Sequence, residues 1–284
     1  MRTFFKTAIL IGLGASACGD DTTDAPNETT TQAVSIDFAG QVAGADFSCA
    51  QTYDLGTAAT PSQISDFKLY VSSVEMLKAD GTAVPVTLEN DGKWQDDSVT
   101  LLDFEDGTGA CANGNPDLNL SVKGEVAKGE YTGVRFKLGV PFEHNHGDAA
   151  TAPAPLNLVS MFWSWQGGYK FLRVDGKANE GGFRVHLGST GCVMGSDDAI
   201  ESCANENLPV VTLNDFNVAT ERVVVDAAAL FAGVDMTPDM DNNSSVCMST
   251  PDHTACNQVF PTLGLKFGTT PAGNQTVFSK ANKP

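Results

Sequence analysis

Phe183-Arg184-Val185-His186-Leu187 alternates apolar and polar residues through all five positions. In an extended chain successive side chains point to opposite faces, so Phe183, Val185 and Leu187 share one face and Arg184 and His186 share the other. The same period of two runs through Val34–Phe38, Asp66–Val71, Val99–Phe104, Gly133–Val140, Tyr169–Val174, Pro209–Leu213, Arg222–Asp226 and Thr262–Phe267. Clusters of Gly, Asn, Asp and Pro separate these runs, which is the pattern of antiparallel strands closed into a sandwich or barrel. The expected fold is therefore all-β, an antiparallel β-sandwich with long loops pinned by disulfides. Asp226 to Ala232 is the only helix candidate. Long connections at 141–160, 188–208 and 235–261 carry many of the unusual residues, and long loops on a rigid β scaffold are where function is usually placed.

The N-terminus reads as an export signal. Arg2 and Lys6 form a charged end, Ala8 to Leu13 an apolar run, and Ala15-Ser16-Ala17-Cys18 a small-residue cleavage region. A cysteine just after such a site points to a lipoprotein, with Cys18 as the acylated N-terminus, although Ala15 stands where leucine is more usual. Gly19 carries no inner-membrane retention signal, so the expected location is the periplasm, anchored to the outer membrane. Residues 19–32 have no large apolar side chain and read as a solvated tether. Residues 33–284 are then one large β domain.

The formal charge is −18, from 17 basic and 35 acidic residues. Loss of residues 1–18 removes Arg2 and Lys6 and no acid, which takes the mature chain to −20. Such a charge disfavours nucleic acid and anionic membrane surfaces. It is compatible with cation capture and equally with plain solubility. Setting Cys18 aside, six cysteines remain in an oxidising compartment, and an even number there implies disulfides. Closeness in sequence pairs Cys192 with Cys203 and Cys247 with Cys256, leaving Cys49 with Cys111. A thiolate metal site finds no Cys-x-x-Cys pair to support it.

Two of the three tryptophans fall within Met161-Phe162-Trp163-Ser164-Trp165-Gln166-Gly167-Gly168-Tyr169-Lys170-Phe171. Two positions apart, Trp163 and Trp165 would lie on one face of a strand as an aromatic platform. His144, His146 and His186 bracket them in sequence. Neutral imidazole is a common ligand for copper and zinc, so His146 and His186 are the leading metal-ligand candidates. Candidate third ligands are His144, the thioethers of Met161 and Met248, the Asp148 carboxylate, or a modified tryptophan. Plain packing is the competing reading for the tryptophans, and loop bracing for His186. Asp239-Met240-Asp241-Asn242-Asn243 opens like a calcium loop, but Ser244 replaces the required glycine and Thr250 the closing glutamate, leaving an acidic turn.

Five runs carry a resemblance to a known family: Gly139–Asp148, Ala154–Asn157, Met161–Phe171, Phe183–Cys192 and Val246–Ser249. Together they resemble the MbnP-like proteins, also called metallo-mystery pair four-Cys motif proteins, in order across residues 33–268. The four cysteines of that motif correspond to Cys192, Cys203, Cys247 and Cys256. The resemblance implies a non-enzymatic periplasmic or outer-membrane protein that binds one copper ion. It also implies a di-haem cytochrome c peroxidase-like partner that oxidises Trp163 or Trp165 to kynurenine, and a copper-uptake outer-membrane transporter as a further partner. His146 and His186 match the family's histidines, and His144 is an addition to the pattern. The alternative class is a surface module in which Trp163, Trp165 and Tyr169 stack on a glycan or peptide.

Overall fold

The computed structural model describes residues 30–179, 181–196, 199–236 and 246–284. The export signal, Cys18, most of the tether and the Asp239–Asn243 turn lie outside them. The first strand, Thr31–Val42, begins two residues inside the stretch read as tether.

Two sheets form the body. One runs in the order Phe278–Asn282, Glu221–Asp226, Thr31–Val42, Ser121–Ala127, Thr87–Leu88, with Ala45–Asp46 paired to Thr31–Val42. The other runs Val210–Asn214, Gly133–Leu138, Thr60–Leu77, Leu172–Ala178, Gly181–Leu187, Val246–Cys247, with three short strands flanking Thr60–Leu77. Pairing is antiparallel apart from Thr31–Val42 with Glu221–Asp226 and Gly181–Leu187 with Val246–Cys247, both parallel. The sheets meet through aromatic rings. Phe136 of the larger sheet packs edge-on against Phe38 at 5.7 Å and Phe278 at 5.5 Å, both from the smaller one. Such contacts stabilise by about 0.5–1.5 kcal/mol each beyond the area they bury.

Thr60–Leu77 is central and covered on both faces, so its middle loses the alternation of a half-exposed strand. Phe67, Lys68, Leu69, Tyr70, Val71 and Ser72 are all buried. Lys68 is tolerable there because carboxyl groups surround it. Its ammonium lies 3.4 Å from Asp66 and 3.9 Å from Asp103, and it touches Glu105.

Most of the alternating runs became strands as expected, with two exceptions. Tyr169–Val174 divides, because Tyr169 ends the short strand Gly168–Tyr169 and the long strand starts at Leu172. Thr262–Phe267 forms no strand. Its first residue ends the helix Cys256–Thr262, and Val259, Phe260 and Leu263 bury themselves in the core on helical spacing. The helix expected after Asp226 spans Ala227–Phe231, with the Asp226 carboxylate accepting from the Ala228 N–H as its N-cap.

The bridges are Cys49–Cys111, Cys192–Cys203 and Cys247–Cys256, the pairing that closeness in sequence suggested. Loops of 11 and 9 residues are each closed by a bridge that stabilises by about 3 kcal/mol through the unfolded state.

Candidate metal centre

His186 sits where its strand pairs with Leu172–Ala178 in a tight hairpin: Ala178 faces Gly181, Arg173 faces His186 and Asp175 faces Arg184. Phe183, Val185 and Leu187 go into the core, so Arg184 and His186 project from the opposite face, as alternation requires. That face is not open at His186, which is only 6 % exposed. Trp163 lies over it, ring to ring at 6.4 Å. Ser249 fastens the overlying loop by donating to the His186 carbonyl at 2.9 Å and accepting from the Gly188 N–H at 3.1 Å. A side chain at Gly188 would collide with the Trp163 ring, its Cβ falling 2.4 Å from the indole.

The diagonal neighbour of His186 across the hairpin is Asp175. Its Oδ1 is 2.6 Å from His186 Nε2. A carboxylate there holds the proton on Nε2 and leaves the lone pair on Nδ1, which is buried and without a partner. Burial works to raise the Asp175 pKa, but the His186 hydrogen bond, with Arg173, holds it below the ordinary carboxylate range. Arg173 lies 2.9 Å from Asp175 and 3.0 Å from Asp66. Asp66 in turn contacts Lys68, so a line of alternating charges runs from the central strand to His186.

His146 follows the single helical turn Phe142–Asn145. Its Nδ1 donates to the Trp165 carbonyl at 2.9 Å, which leaves the Nε2 lone pair toward Asn145 Nδ2 at 3.2 Å and the Cys192–Cys203 bridge. Asn145 is fully buried and ties the corner together. It accepts from the Tyr169 N–H at 2.8 Å and donates to Ser189 at 3.2 Å. It packs so closely on Gly168, at φ +72°, that no Cβ fits there. Burial lowers the His146 pKa against the opposing pull of the Trp165 carbonyl, so the ring is neutral at pH 7.

Beside this corner opens a cavity of about 640 Å³ lined by Trp163, Gln166, Ser189, Cys192, Met248 and Thr250 among others, with neither histidine in its lining. His146 sits behind Cys192 and His186 beneath Trp163. Among the described residues, the grouping of three metal-competent side chains is His146 with Cys192 and Cys203, and the two sulfurs are joined to each other. His186 is not in that group.

The structure separates the other candidates. Met248 lines the cavity. Met161 is fully buried in the hydrophobic core. His144 is exposed on the helical turn, and Asp148 spends an oxygen on the Ala150 N–H at 2.9 Å. Trp163 and Trp165 do not share a face. The strand Phe162–Ser164 carries a bulge and ends before Trp165, which lies in the turn, 47 % exposed. Tyr169 is buried against Tyr70 and Phe162, so the three rings of the glycan-stacking alternative form no common platform.

Sequence reading missed three residues. Asp175 was within reach, because a hairpin register with Ala178 opposite Gly181 puts it diagonal to His186. Asn145 carried no signal. His253, the remaining histidine, is brought near His186 by the Cys247–Cys256 loop. Its Nδ1 accepts from the Met248 N–H at 3.1 Å, and burial lowers its pKa against the pull of Asp252.

The sequence profile of MbnP matches residues 31–249. The chain belongs to the MbnP family. Its structure is also similar to MbnP from Methylosinus trichosporium, with a TM-score of 0.78 and 28% sequence identity, covering 90% of this chain and 100% of that one. No curated protein matches it. The matched span holds the bulged Trp163 strand, the Asp175–His186 hairpin and the Cys192–Cys203 bridge. It stops at Ser249, short of His253.

Proposed function

We propose that this MbnP-family chain is an exported, outer-membrane-anchored protein that binds one copper ion for uptake or storage and catalyses no turnover of its own. The observation that carries the reading is His186. A buried imidazole whose Nε2 is tied to a carboxylate and whose Nδ1 has no partner is arranged as a metal ligand is arranged. An orphaned buried acceptor otherwise costs about 1–3 kcal/mol.

The donor types suit copper. In this reading His186 Nδ1 and His146 Nε2 supply the nitrogens, each with its other nitrogen engaged, Asn145 Nδ2 gives up its 3.2 Å contact with His146 Nε2, and the Met248 thioether lines the adjoining cavity. Copper would supply no chemistry beyond being held. Trp163, between His186 and the cavity, is the better placed of the two tryptophans for conversion to kynurenine. That conversion opens the indole to an aryl amine and a ketone, adding polar donors. Trp165, exposed in the adjoining turn, is the surface indole through which an electron would leave toward a di-haem peroxidase-like partner. An outer-membrane copper transporter is the remaining expected partner.

Titration of the purified protein with copper tests the reading. The expected result is one equivalent bound, lost when His146 and His186 are both replaced by alanine. Binding unchanged in that double variant would refute it.

A further inference from the structure

The three bridges are not alike. Cys49, Cys111, Cys247 and Cys256 are each no more than 1 % exposed, whereas Cys192 and Cys203 are both partly exposed. Their bridge joins directly opposed residues of Thr190–Met194 and Ile200–Asn205, a two-stranded ribbon belonging to neither large sheet. Val193 and Met194 beside it are more than half exposed. Thiol–disulfide exchange requires access to a sulfur, so a reductant in solution reaches this bridge first.

Behind the bridge stands an imidazole nitrogen. His146 Nε2 is 3.4 Å from Cys203 Sγ and 4.0 Å from Cys192 Sγ, and the three donor atoms lie within 4.8 Å of one another. The Nδ1 bond to the Trp165 carbonyl turns Nε2 toward the sulfurs, where it also meets Asn145 Nδ2 at 3.2 Å, a contact the metal would replace. The sulfurs in a disulfide carry no anionic charge and are poor ligands. Separated, they are two soft thiolates beside one imidazole, a set that selects monovalent copper.

We infer that the Cys192–Cys203 bridge is a reducible clasp, and that opening it turns the His146 corner of the cavity into a two-thiolate, one-imidazole site for Cu(I). A dithiol reductant performs the opening. One of its thiolates attacks a bridge sulfur to form a mixed disulfide, and its second thiolate displaces the cysteine. Two electrons pass to Cys192 and Cys203, their sulfurs take up two protons, and the reductant leaves as its own disulfide. Copper arrives already monovalent, and the thiol protons pass to solvent as it binds. The ribbon keeps its register through the Thr190–Asn205 and Val193–Ser202 pairs while the sulfurs part. The inference shares His146 with the proposed function but needs neither His186 nor a tryptophan.

The test uses the mature chain with all bridges formed. A water-soluble phosphine is added in steps, and thiols are located by alkylation and mass spectrometry. The protein opened at one bridge is then titrated with Cu(I) against bicinchoninate. Cys192 and Cys203 should label first, and the opened protein should take up one Cu(I) more than the oxidised protein does. That gain should vanish in Cys192→Ser/Cys203→Ser and persist in His186→Ala, which separates it from the copper reading above. In the unsubstituted protein, Cu(I) should protect both thiols from alkylation, a readout that needs no variant to fold. Equal uptake before and after opening, a gain that survives the double serine variant, or prior opening of either buried bridge would overturn the inference.

Discussion

Replacing Asp103 by asparagine should change how stability depends on pH. Asp103 ends the strand Val99–Asp103 directly across from Lys68 and is completely buried. One oxygen accepts from the Glu105 N–H at 3.1 Å, an acceptor asparagine retains, while Oδ2 has no hydrogen-bond partner. Burial, opposed by the Lys68 ammonium and reinforced by Asp66, pushes its pKa from 3.8 up to about 7. The sign follows from proton counting. Between these values the folded state keeps a proton that the unfolded state has lost, so stability falls as pH rises through the window and levels off above it. At up to 1.36 kcal/mol per pH unit this is about 4 kcal/mol in all, of which about 2.3 falls between pH 5 and 7. Denaturant unfolding of parent and variant across pH 5 to 8 measures it. The parent should lose that much relative to Asp103→Asn by pH 7 and only about 0.4 kcal/mol more above it. A difference that stays flat from pH 5 to 8 would show that the acid is ionised in the fold and that the Lys68 cluster is a set of full charges.

Asp175→Asn should weaken copper binding by about 10- to 100-fold by loosening the His186 tautomer, while leaving the Cys192–Cys203 corner intact; competition titration measures the ratio, and an unchanged affinity would remove Asp175 from the site. In the same variant, nitrogen NMR of the metal-free protein should show His186 with mixed tautomers where the parent shows one. Copper should be released as pH falls below about 6, because ligand imidazoles must be unprotonated and burial holds His146 neutral to lower pH than free imidazole; retention at pH 4 would shift the ligand set toward Met248. In protein from its own host, one tryptophan should show the mass gain of two oxygen atoms less one carbon monoxide, abolished by Trp163→Phe and not by Trp165→Phe. The reverse pattern would exchange their roles.

Period two was enough to place most strands, because a half-buried strand must alternate whatever it packs against. It also put His186 opposite Phe183, Val185 and Leu187, and short separations were enough for the bridges. Long-range assembly decided the remainder. Thr262–Phe267 alternates as well as any strand in the chain, yet it follows a helix pinned by Cys256, and the core took Val259, Phe260 and Leu263 on helical spacing instead. A bulge and a turn separated Trp163 from Trp165, because Gly168 had to pass tightly against Asn145. Local periodicity cannot register a contact made 24 residues away, as that between Asn145 and Tyr169 is. Alternation alone would also have left His186 wet. Trp163 and the Ser249 loop, brought in from either side along the chain, removed the water and made its free nitrogen costly to leave without a ligand.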